Sequence, residues 1–304
     1  MSENSNSLLI VLVGPTAIGK TNLAIDIALK FKAPIIGCDS RQFYKELKIG
    51  TAPPSSEQLA MVKHHFVHFL SIHEYYNVSK YENDVNSELS EIFKKNSVAV
   101  LVGGSGLYVD AVVKGIDDMP DIDIELRENL NKQLIDNGIE WIRAQLQKLD
   151  FETYQKIDLS NKNRILRALE VCLQTGMPYS SFLKKKSKDR PYKILKIALD
   201  MTRKLLYERI NLRVDEMIKQ GLVEEARKFY PYKNLIPLKT VGYKELFDYF
   251  DGKLTLEEAI DLIKRNTRKY ARKQLSWFRR DKDYYWFHPN DKNNIIDLIQ
   301  SHIS

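Results

Sequence analysis

The stretch from Leu8 to Thr21, LLIVLVGPTAIGKT, constrains the fold of this chain more than any other. Residues 8–13 form a continuous apolar run of strand length, which is typical of a strand buried on both faces of a parallel sheet. Residues 14–21 fit the G-x-x-x-x-G-K-[ST] template of a phosphate-binding loop. Residues 22–31 then place apolar side chains at helical spacing. The order strand, glycine loop, helix therefore predicts an anion site at the carboxyl end of a buried strand.

The chemistry of this loop follows from its residue types. Glycines allow a tight turn, so that backbone N–H groups and the positive end of the next helix face an anion. Lys20 adds a mobile positive charge, and the Thr21 hydroxyl is the usual ligand of a Mg²⁺ ion held on the same phosphates. We therefore predict Mg²⁺ as cofactor and two linked phosphates as ligand, bound by Gly14, Pro15, Thr16, Ala17, Ile18, Gly19, Lys20 and Thr21.

Composition narrows the class of protein. The 304 residues are 43% hydrophobic and 29% charged, which suits a sizeable core and a soluble chain. No apolar run approaches the roughly 20 residues of a membrane span. The residues before Leu8 are polar and lack Arg and Lys, unlike a signal or transit peptide. Two cysteines make neither a metal site nor a disulfide framework. We expect a cytoplasmic enzyme that does not engage a membrane.

The pattern of apolar segments predicts an α/β fold, a P-loop-type doubly wound parallel sheet with a helical insertion domain. Further strands are expected at 33–40, 64–70, 97–102, 191–199 and 284–287. Helices are expected at 79–95, 107–113, 203–219, 222–229, 241–250, 255–280 and 295–303. Residues 119–189 show only helical patterns, with helix boundaries at Asp123, Gly138, Asn161 and Gly176. The predicted domains are 1–118 plus 190–304, a P-loop core with C-terminal helices, and 119–189, a helical insertion.

Asp39 is the strongest single candidate for chemistry. It ends the second predicted strand, and ligands of doubly wound sheets bind at the carboxyl ends of strands. A carboxylate there suits a base acting on an acceptor, or a water-mediated Mg²⁺ ligand, although a lone Asp is more often a turn or cap residue. The third strand instead runs into Gly103-Gly104-Ser105, without an acid before Asp110. That absence argues against ordinary ATP hydrolysis.

A basic segment covers residues 264–280. It holds eight Lys and Arg residues and no acid, while the net charge of the whole chain is +7, so the rest is close to neutral. Arg265, Arg268, Arg272 and Arg279 lie largely off the apolar stripe of the helix, and Tyr270 and Trp277 are candidates for stacking on bases. A solvated face normally mixes both signs of charge, so a polyanion-binding surface is favoured. The histidines at 64, 65, 68 and 73 match no metal-ligand spacing.

Eight blocks together resemble one family. They are GPTAIGKT at 14–21, CDSRQFY at 38–44, IGTAPP at 49–54, HH at 64–65, LVGGSGLY at 101–108, NRILRALEV at 163–171, KTVGYKE at 239–245 and RKQLSWFR at 272–279. In order and approximate spacing these resemble the bacterial tRNA dimethylallyltransferases, over nearly the whole chain. Ser105 stands where Thr is usual in the family, and Cys38, next to Asp39, is expected to point away from the site.

The resemblance implies a reaction and a set of contacts. The loop would hold dimethylallyl diphosphate rather than ATP, with Mg²⁺ on the diphosphate. N6 of adenosine 37, in the anticodon stem-loop of tRNA, would attack C1 of the allyl group, with Asp39 as general base. The implied tRNA-binding residues are Asp39, Ser40, Arg41, Gln42, Ser105, Arg127, Asn163, Arg164, Ile165, Leu166, Arg167, Lys239, Thr240, Val241, Gly242, Tyr243, Lys244, Arg272, Lys273, Gln274, Leu275, Ser276, Trp277, Phe278 and Arg279. We expect the protein to be a monomer.

Two other functions fit part of the sequence. A P-loop small-molecule kinase would use the phosphate loop and leave the basic helix without a role. A non-catalytic RNA-binding protein would use the basic helix and leave Asp39 without one. The first alternative predicts ATP turnover, and the second predicts that Asp39 is dispensable.

Overall fold

The computed structural model describes residues 7–183 and 188–303. The chain divides into two compact units, one made of residues 1–114 and 189–304 and the other of residues 115–188. Among the described residues, no helix is long and apolar enough to cross a membrane.

The larger unit is built on a six-stranded, all-parallel sheet, which confirms the predicted α/β class. Its strands are β1 Leu8–Val13, β2 Ile35–Cys38, β3 His64–His65, β4 Val98–Gly103, β5 Lys193–Leu199 and β6 Tyr285–Phe287. They lie in the order β3-β2-β4-β1-β5-β6. Val13 of β1 and Cys38 of β2 both pair with Gly103 of β4, so these three strands end level with one another. The residues that follow them therefore converge at one edge.

Helices cover both faces of the sheet. They are α1 Lys20–Phe31, α2 Ser56–Met61, α3 Val78–Ile92, α4 Gly106–Lys114, α8 Arg203–Lys219, α9 Leu222–Phe229, α10 Tyr243–Phe250, α11 Leu256–Phe278 and α12 Lys292–Ile303. Alternate residues of β1 enter different cores: Leu9 and Val11 pack on the side of α3, α4 and α11, and Leu8 and Ile10 on the side of α1 and α12. Burial on both faces explains why the β1 sequence is apolar throughout.

Two local predictions need correction. The strand predicted at 64–70 ends after His65, because Phe66 and His68 have left-handed backbone (φ 59° and 51°), which no strand accommodates. Helix α2 was not predicted at all. Its signal is present, since Ser55 and Gln58 form a reciprocal capping box at its start.

The smaller unit is helical, with α5 Ile124–Leu149, α6 Phe151–Lys156 and α7 Lys162–Thr175. All four predicted boundaries are confirmed. Asp123 and Asn161 cap α5 and α7, Gly138 interrupts α5 with non-helical backbone, and Gly176 ends α7 in a left-handed conformation. The unit has a hydrophobic core of its own, formed by Leu130, Ile142, Leu146, Ile165, Leu166, Ala168 and Leu169.

Candidate active site

The phosphate loop joins β1 to α1. Gly19 has a φ of 102° and forms the N-cap of α1, a conformation that an L side chain rarely adopts. Lys20 folds back over the loop, and its Nζ donates a hydrogen bond to the Pro15 carbonyl at 2.8 Å. Burial lowers the pKa of Lys20 to about 8, in spite of the opposing attraction of Asp39. The loop therefore holds a desolvated ammonium group, which an anion would stabilise.

A cavity of about 450 Å³ lies over this loop, and we call it the phosphate cavity. The loop residues Thr16, Ala17, Gly19, Lys20 and Thr21 line one side, and Asp39 and Gln42 line another. Of the other predicted loop contacts, Gly14, Pro15 and Ile18 do not line it. Arg209 and Arg213, one turn apart on α8, add two positive charges to that of Lys20. A cavity that gathers three cations around a loop of backbone N–H groups suits a polyphosphate.

A second cavity, of about 340 Å³, adjoins the first, and we call it the acceptor cavity. The segment Lys239–Thr240–Val241–Gly242, together with Ser40, Arg41 and Tyr270, lines it. Thr16, Asp39, Thr51 and Arg213 line both cavities. The Asp39 carboxylate therefore stands where the two cavities meet.

Asp39 is held by the turn that follows β2. Its Oδ1 accepts the backbone N–H of Arg41 at 3.1 Å, and no other hydrogen bond from the described parts of the chain reaches the carboxylate. The next residue, Ser40, donates its N–H to Oγ of Ser105 at 3.0 Å. The turn after β2 is thus tied to the second glycine turn after β4, and one carboxylate oxygen of Asp39 is left to accept a proton.

Arg213 spans the boundary between the cavities. It donates one hydrogen bond to the Thr16 hydroxyl at 3.5 Å and another to the Ala52 carbonyl at 3.2 Å. Burial lowers the pKa of Arg213, while the nearby Asp39 favours its charged form. The sequence analysis did not identify Arg209 or Arg213. Their spacing of four residues predicts that both side chains lie on one face of a helix. It does not predict that this face borders a cavity.

The residues around the phosphate cavity fit Mg²⁺ that arrives with a phosphate ligand. The Thr21 hydroxyl and the Asp39 carboxylate both line the cavity, and oxygen is the ligand that Mg²⁺ prefers. Within the described ranges, no three His, Cys, Asp or Glu residues are grouped to hold a metal. Mg²⁺ commonly completes its shell with phosphate oxygens and water, so one hydroxyl and one carboxylate are sufficient.

The predicted tRNA-binding residues fall into three groups by position. Those at 40, 41 and 239–242 meet at the acceptor cavity, beside Asp39. Gln42 instead faces the phosphate cavity, and its amide donates to the carbonyls of Thr51 and Ala52 at 3.2 and 3.0 Å. The third group lies at the surface with exposed side chains, at Asn163, Arg164, Lys244, Arg272, Lys273, Ser276 and Arg279.

Several other predicted contacts are buried and have structural partners. The side chains of Ile165, Leu166, Tyr243, Gln274 and Phe278 lie inside the protein. In the smaller unit, Arg127 and Arg167 are half-buried and both form ion pairs with the buried Glu170. The surface that we propose for tRNA leaves out these five side chains and that of Ser105, which is also buried, because a nucleic acid cannot reach them as the protein stands.

Gln274 and Trp277 form the inner face of α11. The Gln274 amide accepts the backbone N–H of Thr16 and donates to the Gly104 carbonyl, both at 2.9 Å, so it connects the two glycine turns. Trp277 donates its indole N–H to Asp110 at 2.9 Å, and the Arg280 guanidinium covers its ring at 3.9 Å from the centroid. A base could stack on that face of the ring only if Arg280 moved, so the stacking of Trp277 stays a prediction.

Cys38 is enclosed in the core, whereas His64 lines the phosphate cavity and His65 contacts a carboxylate. Cys38 is buried, and burial raises the pKa of its thiol well above the usual range, which suits its expected absence from the chemistry. His64 Nδ1 is 2.8 Å from the Val62 carbonyl, and His65 pairs with Glu88 at 3.1 Å.

Comparison with known proteins places this geometry in context. The model of one protein family, described as IPP transferase, matches residues 42–281. The tRNA dimethylallyltransferase of Christiangramia forsetii is 50% identical over 300 residues, which is 98% of this chain and 99% of that protein. The tRNA dimethylallyltransferase 1 of Bacteroides fragilis is 49% identical over 295 residues, covering 97% and 98% of the two chains.

Solved structures agree with these matches. The tRNA isopentenylpyrophosphate transferase of Bacillus halodurans superposes with a TM-score of 0.71 at 34% identity, over 99% of this chain and 97% of that one. A eukaryotic dimethylallyltransferase, solved acting on tRNA, superposes with a TM-score of 0.80, over 97% of this chain and 80% of that one. At 23% identity, the second similarity concerns the fold alone.

Proposed function

This chain belongs to the IPP transferase family and has tRNA dimethylallyltransferase activity, and we propose that it transfers the dimethylallyl group of dimethylallyl diphosphate to N6 of adenosine 37, beside the anticodon. The products are N6-dimethylallyladenosine and diphosphate. The observation that carries this proposal is the junction of two cavities at Asp39: one is lined by cations and the phosphate loop, and the other by residues expected to touch tRNA.

The phosphate cavity holds the leaving group. As the bond between C1 and the diphosphate oxygen breaks, negative charge grows on the diphosphate. Lys20, Arg209 and Arg213 lie where they stabilise that charge, together with the loop N–H groups. Thr21 and, through water, Asp39 would hold Mg²⁺, and the bound ion would supply further neutralisation of the diphosphate. The diphosphate departs easily from an allyl group once its growing negative charge is stabilised. These electrostatic contacts therefore lower the main barrier.

The acceptor cavity receives the adenine. The amine lone pair forms the new bond from N6 to C1, and N6 must lose a proton in the same process. Asp39 accepts that proton, because its carboxylate faces both cavities and has an oxygen without a protein partner among the described residues. A positioned general base of this kind typically contributes about 10²–10⁴-fold in rate.

The target base has to leave the anticodon loop to reach this depth. Enzymes that modify a stacked base extrude it, and exposed cations hold the phosphates around it. We assign the extruded base to the wall formed by Arg41, Tyr270 and residues 239–242. The phosphates are assigned to Arg272 and Lys273 of α11, which are exposed and have no acidic partner in the described sequence. We place this reaction in the cytoplasm and expect the protein to act as a monomer.

A transfer assay tests this proposal. The protein is incubated with Mg²⁺, dimethylallyl diphosphate and an anticodon stem-loop carrying adenine at position 37, and the RNA is weighed by mass spectrometry. We expect a gain of one C5H8 unit that disappears when this adenine is replaced by guanine. An unmodified RNA together with ATP hydrolysis would contradict the proposal and favour a P-loop kinase.

A further inference from the structure

A loop between β2 and α2, residues 48–52, is fastened by one carboxylate from α9. Glu225 accepts the backbone N–H of Lys48 at 2.9 Å, that of Ile49 at 2.9 and 3.1 Å through its two oxygens, and that of Gly50 at 2.9 Å. Three successive N–H groups that converge on one anion form a concave anion-binding arrangement of the backbone. Here the anion is supplied by the protein itself.

Tyr243 completes this anchor. Its hydroxyl donates to Glu225 at 2.6 Å, and both burial and the neighbouring carboxylate raise its pKa far above the ordinary value, so it stays a donor. The loop rests directly on the ring: a Cβ at Gly50 would lie 2.6 Å from ring atoms of Tyr243. Residue 50 must therefore be glycine for the loop to sit at this depth.

The anchored loop delivers two residues to the active site. Thr51 lines both cavities, and Ala52 lines the phosphate cavity. Ala52 has a left-handed φ of 42°, which is unfavourable for a residue with a Cβ and persists only where the surroundings hold it. Its carbonyl accepts hydrogen bonds from Gln42 at 3.0 Å and from Arg213 at 3.2 Å.

We propose that Glu225 is a positioning residue of the transfer reaction. It lines neither cavity, but it fixes the 48–52 loop, and the Ala52 carbonyl in turn holds the Arg213 guanidinium between the leaving group and Asp39. This inference rests on the proposed function, because it assigns Arg213 to the diphosphate. A displacement of about 1 Å in a catalytic group costs as much as ~10²-fold in rate, so a distant anchor of this kind has a measurable effect.

Glu225→Gln is the test, with Glu224→Gln as the matched control. Glutamine keeps the size of the side chain but presents N–H groups to the backbone donors and cannot accept from all of them. Glu224 is the neighbouring carboxylate on α9, and it is exposed. With both substrates saturating, we expect the single-turnover rate of Glu225→Gln to fall by about ten- to a hundredfold while tRNA affinity stays within about twofold. Glu224→Gln should match the wild type.

A double variant separates positioning from a general loss of structure. If Glu225 acts through Arg213, adding Glu225→Gln to Arg213→Ala should change the rate by less than about twofold, because coupled residues are not additive. Full multiplication of the two effects would overturn the inference, and so would a wild-type rate for Glu225→Gln.

Tyr243→Phe keeps the test decisive if Glu225→Gln does not fold. It removes one of the four groups that donate to Glu225 and keeps the ring under Gly50, so we expect a rate about threefold below that of the wild type. An unchanged rate would overturn the inference. A wild-type protein that transfers nothing would instead contradict the proposed function, and the positioning role would fail with it.

Discussion

At the scale of single residues, the charge of Lys20 is set by its place in the fold. The ammonium group is buried beneath the phosphate cavity, and burial lowers its pKa to about 8. Asp39 draws the pKa up and Arg213 pushes it down, so the three groups together determine how readily this site takes a proton. A diphosphate, which favours the protonated amine, is therefore expected to bind with uptake of a proton at alkaline pH.

The affinity for dimethylallyl diphosphate should consequently fall as pH rises through about 8. Below that pH the free protein already carries the proton that the ligand requires. Above it the proton must be taken up on binding, and the Kd should rise by up to about tenfold per pH unit. Titration calorimetry without tRNA, from pH 7 to 9.5 in two buffers of different ionisation enthalpy, measures both the Kd and the proton uptake. A constant Kd without proton uptake would contradict the placement of the diphosphate beside Lys20.

Residue identities in the site were predictable where a motif and a strand end coincided. The phosphate loop was predictable from its motif and Asp39 from its place at the end of a predicted strand, and the two lie together because β1 and β2 end level with each other. Arg209 and Arg213 were not found, because a pair of arginines on α8 carries no sign of the cavity that it faces. Glu225 was missed for the same reason, since three of its four hydrogen-bond donors are backbone groups more than 170 positions away.

At the scale of elements, α11 has two faces with different tasks. Its outer face carries exposed cations such as Arg272 and Lys273, and its inner face connects the glycine turns through Gln274 and packs Trp277 against the start of α4. The periodicity of the sequence predicted the helix correctly, and the family resemblance implied tRNA contacts for residues 272–279 as one block. Only tertiary packing separates the residues that point inward from those that remain on the surface.

The contact between α11 and α4 depends on Gly106. A Cβ at this position would lie 2.3 Å from the Trp277 ring, so one element would have to move. We expect Gly106→Ala to lower the free energy of unfolding by about 1–3 kcal/mol, the usual cost of overpacking. Urea denaturation measures this change. The double variant with Trp277→Leu, which makes room for the methyl group, should lose less than the sum of the two single changes. A stability equal to that of the wild type for Gly106→Ala would show that the helices adjust freely.

At the scale of the whole molecule, positive charge is concentrated in residues 264–280, the segment that we propose meets tRNA. The chain carries a net charge of +7, and residues 264–280 hold eight basic residues without an acid. The structure reduces the free part of this charge, because Lys264 and Arg279 form ion pairs with Asp215 and Asp200. Arg268 donates to the neutral amide of Asn211 and keeps its charge. The cations that remain available to phosphates are fewer than the sequence suggests.

Removal of two of these exposed cations should change how tRNA binding responds to salt. For Arg272→Ala with Lys273→Ala, the slope of log K against log salt should become shallower by about 1.4–1.8, because each phosphate contact contributes about 0.7–0.9. Lys94→Ala with Lys95→Ala is the control, since this adjacent exposed pair precedes β4 at the opposite edge of the sheet. Equal slopes for the two double variants would show that α11 presents only a solvated face.

The division into functional domains remains a proposal at this scale. The smaller unit, residues 115–188, has its own core and carries the predicted contacts Arg127, Arg164 and Arg167. We propose that it serves tRNA binding and not diphosphate binding. The sequence predicted four of its helix boundaries because each of these is marked by a cap or a glycine, but it did not predict α6.

The most direct test of the whole account is the single-turnover rate of Asp39→Asn, measured with saturating tRNA and dimethylallyl diphosphate. Asparagine keeps the shape of the side chain and cannot take the N6 proton, so we predict a rate lower by about 10²–10⁴-fold. The tRNA affinity should stay within about threefold, since one neutralised carboxylate leaves the phosphate contacts in place. Asp26→Asn, a carboxylate on α1 that pairs with Lys292 outside both cavities, should transfer at the wild-type rate. A wild-type rate for Asp39→Asn would contradict the central claim that transfer takes place at this carboxylate.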